Sequence, residues 1–370
     1  MDSLDHARIG SPSSAGVWGR PGGCTAFPTM APRYPDLSDK SASEEGTLAH
    51  SLAEQAFREG LAVPVCDDPD MVAGILEYLN HIRPLASYCD SSGVEMRLDM
   101  PEVFEGAFGT VDFWGWHENS RTAYVRDFKY GLEAVDAYEN LQLAMYAEGL
   151  RELFPQAQFF DVGIVQPRGL GSLETIRLES IPVEHLQDVI VPQLRDAAHE
   201  AADPQRATAR SGSHCRRCPA RHDCPAALTA AGTMLEATSG ALPLELTPAA
   251  MGANLAIVNR SLEHLKSLSE ALQLQLTDAI QKGTPVEGWY MEPKPGRLAW
   301  SGSDSEVLEL GRLMGVDLAK PESPITPTQA LALFKKSGID GGVITGYSSR
   351  TVGAKLAPIN FNKFKKVFRK

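Results

Sequence analysis

The chain has no apolar run of the roughly eighteen residues that a membrane-spanning helix needs, which excludes a span of that kind. Its N-terminus, Met1-Asp2-Ser3-Leu4-Asp5-His6, lacks the basic and apolar regions of a secretory signal. Together these absences set the expectation of a cytoplasmic protein with no membrane partner. Cysteine is scarce, six in 370 residues, and in a reducing compartment such thiols read as metal ligands more readily than as disulfides. Positive charge is in deficit. Lys and Arg number 35 against 47 Asp and Glu, and the net charge of −12 excludes a protein that coats nucleic acid indiscriminately. No internal repeat is present. What remains is ample for a core, since 43% of the residues are apolar in a chain long enough for one large domain or two ordinary ones.

Charge is unevenly spread. Five arginines and one acid lie between Pro204 and Cys224, and seven basic residues with no acid lie between Gly341 and Lys370. Two basic islands on an acidic protein suit a track along a nucleic-acid backbone, or else a solvated surface and a frayed tail.

Residues 1–43, rich in Ser, Gly and Pro, read as an irregular arm carrying one isolated cysteine, Cys24. A core follows over 44–225. Its periodicities predict helices from Glu44 to Phe57, Pro69 to Leu85, Ala137 to Phe154 and Val183 to Ala202. Strands are expected over Gly93–Leu98, Phe104–Trp116, Thr122–Phe128 and Phe159–Gln166. That order gives an α/β class with a mixed central sheet flanked by helices. Residues 226–246 turn to Ala, Thr, Gly and Pro and read as a linker. A helical C-terminal unit, 247–370, opens at Thr247-Pro248 with a leucine-striped helix. It continues through a β-hairpin turning near Pro293–Gly296 and ends in a basic tail.

Two patterns carry chemistry. Asp127 and Lys129 stand two apart on one strand, so their side chains leave on one face while Phe128 turns to the other. Asp112 sits on the preceding strand, where pairing would bring it beside Asp127. Paired carboxylates repel, and a divalent cation such as Mg²⁺ or Mn²⁺ relieves that repulsion; an adjacent lysine neutralises developing charge. Glu95 reads as an exposed strand residue, with an accessory-ligand role as the alternative. Separately, Cys215, Cys218 and Cys224 form a C-x2-C-x5-C run, and with Cys24 they supply four thiolates. That count suits tetrahedral zinc or an iron–sulfur cluster, and spacing alone does not choose between them. Cys66 and Cys89 lack partners at ligand spacing.

These residues resemble the PD-(D/E)XK nuclease superfamily, in its RecB-like branch. His50 in Glu45-Gly46-Thr47-Leu48-Ala49-His50, Asp112, Asp127-Phe128-Lys129, and Gln142 with Tyr146 match that branch's motifs in order. The resemblance implies a restriction-endonuclease-like core, a catalytic metal bound by His50, Asp112, Asp127 and the Phe128 carbonyl, and a catalytic Lys129. It further implies that Gln142 and Tyr146 contact the substrate strand or support the site. Val111 and Tyr130 depart from the branch's usual residues beside the first Asp and after the Lys. The AddB-like and CRISPR-adaptation members carry one cysteine before the core and a C-x2-C-x5-C group after it. By that likeness Cys24, Cys215, Cys218 and Cys224 would hold a 4Fe-4S cluster as a structural staple, with zinc the alternative.

The whole chain also resembles an uncharacterised phage and prophage family of RecB-like proteins, which implies a place in phage recombination or replication inside a bacterial host cell. The expectation is therefore a metal-dependent DNA nuclease acting on single strands or duplex ends, with a single-strand-binding or helicase protein as a possible partner. The alternative is a DNA-binding or scaffold module that keeps the fold without turnover. In the tail, Phe361 to Lys370 interleaves phenylalanines with basic residues, a pattern suited to base stacking and phosphate contact.

Overall fold

A computed structural model describes residues 8–169, 174–239, 247–319, 326–340 and 342–358. Helices α1 (Ser41–Arg58) and α2 (Pro69–Tyr88) precede strands β1 (Ser91–Asp99), β2 (Phe108–His117) and β3 (Thr122–Phe128). Helix α3 (Leu141–Leu153) then crosses to β4 (Phe159–Val165), followed by β5 (Ile176–Pro182) and α4 (Val191–Ala202). The strands form one mixed sheet in the order β1-β2-β3-β4-β5. Only the β3–β4 pair, joined through α3, is parallel; the others are antiparallel. The mixed sheet flanked by helices is the architecture expected from the sequence. Among the described residues no helix is long and apolar enough to cross a membrane.

Local chemistry sets the helix starts. Asp68 accepts hydrogen bonds from the Asp70 and Met71 amides, with Pro69 in the first turn of α2. Asn140 does the same for α3, accepting from Gln142 N at 3.0 Å and Leu143 N at 3.3 Å. Helix α3 therefore begins four residues later than the Ala137 start read from periodicity.

Apolar layers cover both faces of the sheet. On one, Leu143, Ala144, Ala147 and Leu150 of α3 pack with Val111, Val125, Phe160 and Val162. On the other, Ala49, Ala53 and Ala56 of α1 and Ile75, Leu79 and Ile82 of α2 pack with Phe113, Phe128 and Val165. The alanine stripe on α1 lets that helix approach closely, and α1 carries His50.

Several expectations require correction. Residues 8–40 are irregular, as read, but they pack into the core rather than standing apart from it. Ala15 and Trp18 are fully buried in the α3-side core. The Trp18 indole N–H donates to Ser14 Oγ at 3.1 Å. The sequence carries no period there because the segment folds as short helical turns, Ala15–Trp18 and Phe27–Met30 among them. Strand β5 escaped the sequence reading because it is an edge strand in which Ile181 is the buried residue. The stretch read as a linker is helical over α5 (Pro225–Ser239).

The chain divides into two compact units, Met1–Ala271 and Leu272–Lys370, so the boundary falls inside α6 (Pro248–Gln281) rather than at residue 247. The first part of α6 is tied to the first unit: Arg221 Nε donates to Ser267 O at 3.2 Å, and His264 Nε2 lies 3.0 Å from Ala227 O.

In the second unit, α7 (Asp304–Leu313) and α8 (Pro327–Lys336) follow β6 (Trp289–Trp300), and β7 (Ser348–Pro358) comes after them. A small antiparallel ladder is present, but the turn expected at Pro293–Gly296 is not. Strand β6 runs straight through it and pairs with β7, with an irregular register between Pro295 and Leu298. A two-stranded ladder leaves each strand one unpaired edge, so proline is tolerated where no ladder N–H is required. Val307, Val316, Leu318, Ala330, Phe334 and Ile344 form this unit's core. The Phe361–Lys370 tail lies outside the described residues.

Candidate metal centre and cysteine cavity

Alternate residues of a regular strand share a face, so Val111 and Phe113 should point the same way. They do not: Val111 packs on the α3 side and Phe113 on the α1–α2 side. Strand β1 does likewise, with Met96 on the α3 side and Val94 on the other. The two strands turn over together at Glu95 and Asp112, which the register sets opposite one another between the pairs Val94–Phe113 and Met96–Val111. Glu95 accommodates the turn with φ at +49°. That left-handed conformation costs a non-glycine residue about 1–3 kcal/mol.

His50 reaches this point from α1. Its Nδ1 lies 3.3 Å from Asp112 Oδ1, and Asp112 Oδ2 accepts from the Phe128 amide at 2.7 Å. Phe128 turns its ring to the helix face, stacked on Tyr78 at 4.6 Å and 5.3 Å from the His50 ring. Ligand atoms of His50, Glu95 and Asp112 all lie within 4.8 Å of one another. They line a cleft of about 190 Å³ together with Tyr78 and Phe128.

A second, interlocked group adjoins it. Lys129 Nζ lies 2.9 Å from Asp127 Oδ2. Gln142 Nε2 donates to Asp127 Oδ1 at 2.9 Å, and Gln142 Oε1 accepts from Lys129 Nζ at 3.3 Å. The Tyr146 hydroxyl is 3.3 Å from Gln142 Nε2, one turn along α3. Asp127 is only 1% exposed. Its Oδ2 has the lysine beside it yet takes no well-directed hydrogen bond among the described residues.

The charges respond to burial and to each other. Burial opposes a charge on His50, but the Asp112 carboxylate outweighs it and lifts the imidazole to about 9. Burial also works against Asp112, and His50, Lys129 and the Phe128 amide together still hold its carboxyl below the usual range. Asp127 goes the other way, raised by burial and by Asp112 despite Lys129. Glu95 is pushed up to about 7 by burial and by Asp112 facing it. The two neighbouring carboxylates thus part, Asp112 held down by the cations beside it and Asp127 pushed up by burial.

Every residue of the expected hydrolytic set is therefore at this end of the sheet: His50, Asp112, Asp127, Phe128, Lys129, Gln142 and Tyr146. They are not arranged as one cavity lining, because Asp127, Lys129, Gln142 and Tyr146 pack beside the cleft. Glu95, read first as an exposed strand residue, faces Asp112 instead. The one sequence signal for it was an acid in the middle of an otherwise apolar Val94–Met96 triplet.

Elsewhere in the first unit, Cys24, Cys215, Cys218 and Cys224 line a single cavity of about 310 Å³. Hydrogen bonds sew the early segment to the late one. Ala26 N donates to Thr208 O at 3.2 Å, Arg210 to Gly23 O at 2.8 Å, and Thr25 Oγ1 to Glu200 at 2.7 Å. A Cβ on Gly23 would sit 2.7 Å from Val17 O, so only glycine permits the tight return that presents Cys24. Burial pushes the Cys24, Cys215 and Cys218 thiols up, Cys218 to about 11. Among the described residues no three of the sulfurs approach within 4.8 Å of one another. His214 also lines the cavity, its Nε2 3.1 Å from Arg210 O. Cys66 and Cys89 do not line it.

No curated protein matches the chain. A solved structure titled "Crystal structure of SSO0001" aligns with 49% of this chain and 83% of its own, at 14% identity and a TM-score of 0.28. Over residues 6–340 the sequence matches the family described as "Protein of unknown function (DUF2800)", and the chain belongs to that family.

Proposed function

We propose that this protein is a divalent-metal-dependent deoxyribonuclease that hydrolyses phosphodiesters at single strands or duplex ends, in phage recombination or replication. The observation that carries the reading is the buried Asp127, with one oxygen lacking a directed hydrogen bond, held between Lys129 and Gln142 near the partly buried carboxylate of Asp112. Paired buried carboxylates are costly unless a cation joins them. His50, Asp112, Asp127 and the Phe128 carbonyl would hold Mg²⁺ or Mn²⁺. The ion would polarise a phosphate oxygen and acidify a bound water. Lys129 neutralises charge that develops on the phosphate, and Gln142 fixes the Asp127 and Lys129 side chains.

Four cysteines around one cavity could hold either tetrahedral zinc or an iron–sulfur cluster. Tetrahedral zinc draws its sulfurs to about 3.8 Å apart, from a Zn–S length of about 2.3 Å. A 4Fe-4S cluster is the reading preferred here, because the four thiols come from both ends of the core, which the cluster would join.

The test is digestion of end-labelled linear, circular and single-stranded DNA by anaerobically purified protein with Mg²⁺ or Mn²⁺. Cleavage that is lost in Asp127→Ala supports the reading; wild-type protein inert on every DNA form sinks it. A binding module without turnover is the second reading, favoured by the placement of Asp127 beside the cleft rather than in its lining. It requires tight DNA binding that survives Lys129→Ala.

A further inference from the structure

Glu95 has no hydrogen-bond or ion-pair partner among the described residues, although it faces Asp112 across the ladder and is half-buried. A cation nearby in space does not serve it: Arg58 pairs with Glu54 at 2.9 Å and reaches the Val94 carbonyl at 3.4 Å. A second group in the same cleft is also unpartnered. The Tyr78 side chain is 3% exposed, its ring is held by the stack on Phe128, and its hydroxyl is buried with no hydrogen bond. A lone carboxylate and a lone phenol therefore line one small space with the His50–Asp112 pair. An apolar filler would satisfy neither. A hydrated cation satisfies both, the carboxylate as ligand and the hydroxyl through a coordinated water.

We propose that Glu95 is a third side-chain ligand of a divalent cation held between His50 and Asp112, and that the Tyr78 hydroxyl hydrogen-bonds a water of that cation. The inference rests on the metal-site reading above and adds to its ligand set a residue on β1. It gives the turned-over strand pair a purpose, since regular alternation at Glu95 would break the face-to-face placement with Asp112. It also predicts the type of ion. One imidazole nitrogen with two carboxylates suits Mn²⁺ well, whereas Mg²⁺ prefers oxygen and keeps most of its water.

Mn²⁺ binding by the full-length protein, without nucleic acid, is read from the electron paramagnetic resonance signal of free Mn²⁺. Wild-type protein is expected to bind Mn²⁺ and Asp112→Asn to lose it. Glu95→Gln is expected to weaken it at least tenfold, and Tyr78→Phe about threefold. Glu95→Asn is the companion variant, because asparagine tolerates the left-handed backbone and keeps the fold. Unchanged affinity in either Glu95 variant, with a wild-type melting curve, overturns the proposal, as does a wild-type protein that binds no Mn²⁺. Parallel DNA digestion separates the two readings. Glu95-dependent Mn²⁺ binding without cleavage removes the nuclease assignment alone. Cleavage with Glu95-independent binding removes this ligand alone.

Discussion

Gln142 bridges Asp127 and Lys129 with a single amide, donating to the carboxylate at 2.9 Å and accepting from the ammonium at 3.3 Å. Because the amide sits on α3 and its two partners on and just after β3, helix position is converted directly into side-chain position. The cap at Asn140, two residues earlier, sets where that helix begins.

Replacing Gln142 with leucine keeps the volume and removes both hydrogen bonds. DNA cleavage is expected to slow by about 10- to 100-fold, the usual cost of losing a partner that orients a working group. Melting temperature and DNA binding should stay near wild type. A variant that cleaves at full rate would show that Asp127 and Lys129 hold themselves.

Lys129→Met retains the aliphatic stem and removes the charge. The expected loss is about 10²–10³-fold in cleavage rate, as for other groups aimed at developing charge. Fluorescence anisotropy with a labelled single strand should report little change in affinity.

Asn140→Ala removes the acceptor for the Gln142 and Leu143 amides. Stability should fall by about 1 kcal/mol, measured by chemical denaturation. Cleavage should fall as well, because the frayed turn carries Gln142. Asp68→Ala, at the equivalent place on α2, is expected to lose similar stability with less effect on cleavage.

His81 gives a pH dependence. Arg126 Nε donates to His81 Nε2 at 2.9 Å, which requires an unprotonated nitrogen there. Burial, then the Arg126 charge, hold the imidazole below its ordinary value. An unfolded histidine takes up its proton near pH 6.5, so this contribution to stability is complete above about 6.5 and declines as the pH falls below it. His81→Gln, which keeps an acceptor without a titration, should flatten the melting temperature between about pH 6.5 and 5.

For the cysteine cavity, anaerobically prepared protein is expected to be coloured and to contain iron, and Cys215→Ser to lose both the colour and several degrees of melting temperature. Colourless protein with stoichiometric zinc decides for zinc.

Much of this was legible from the residues. Alternation put Asp127 and Lys129 on one face opposite Phe128, and four-residue spacing put Gln142 and Tyr146 on one side of α3; these are local rules, and they survive folding unchanged. For Glu95 the sequence offered an accessory-ligand role only as the alternative to an exposed strand residue. Its orientation depends on β1 and β2 turning over at the same rung, which neither strand encodes alone. The burial of the early segment around Trp18 was not legible for a related reason: it depends on partners far along the chain, on α3 and α4. At β6 the Pro293 and Pro295 pair reads as a turn, and only a two-stranded ladder with free edges makes it a strand.

The Gly23 return and the seam to Thr208 have a bearing on biosynthesis. Cys24 emerges from the ribosome about 190 residues before Cys215, Cys218 and Cys224. Ala15 and Trp18 are covered by α3 and α4, both made more than about a hundred residues later. The four thiols can therefore share one chamber only once Cys224 has been made, about three-fifths of the way along the 370 residues.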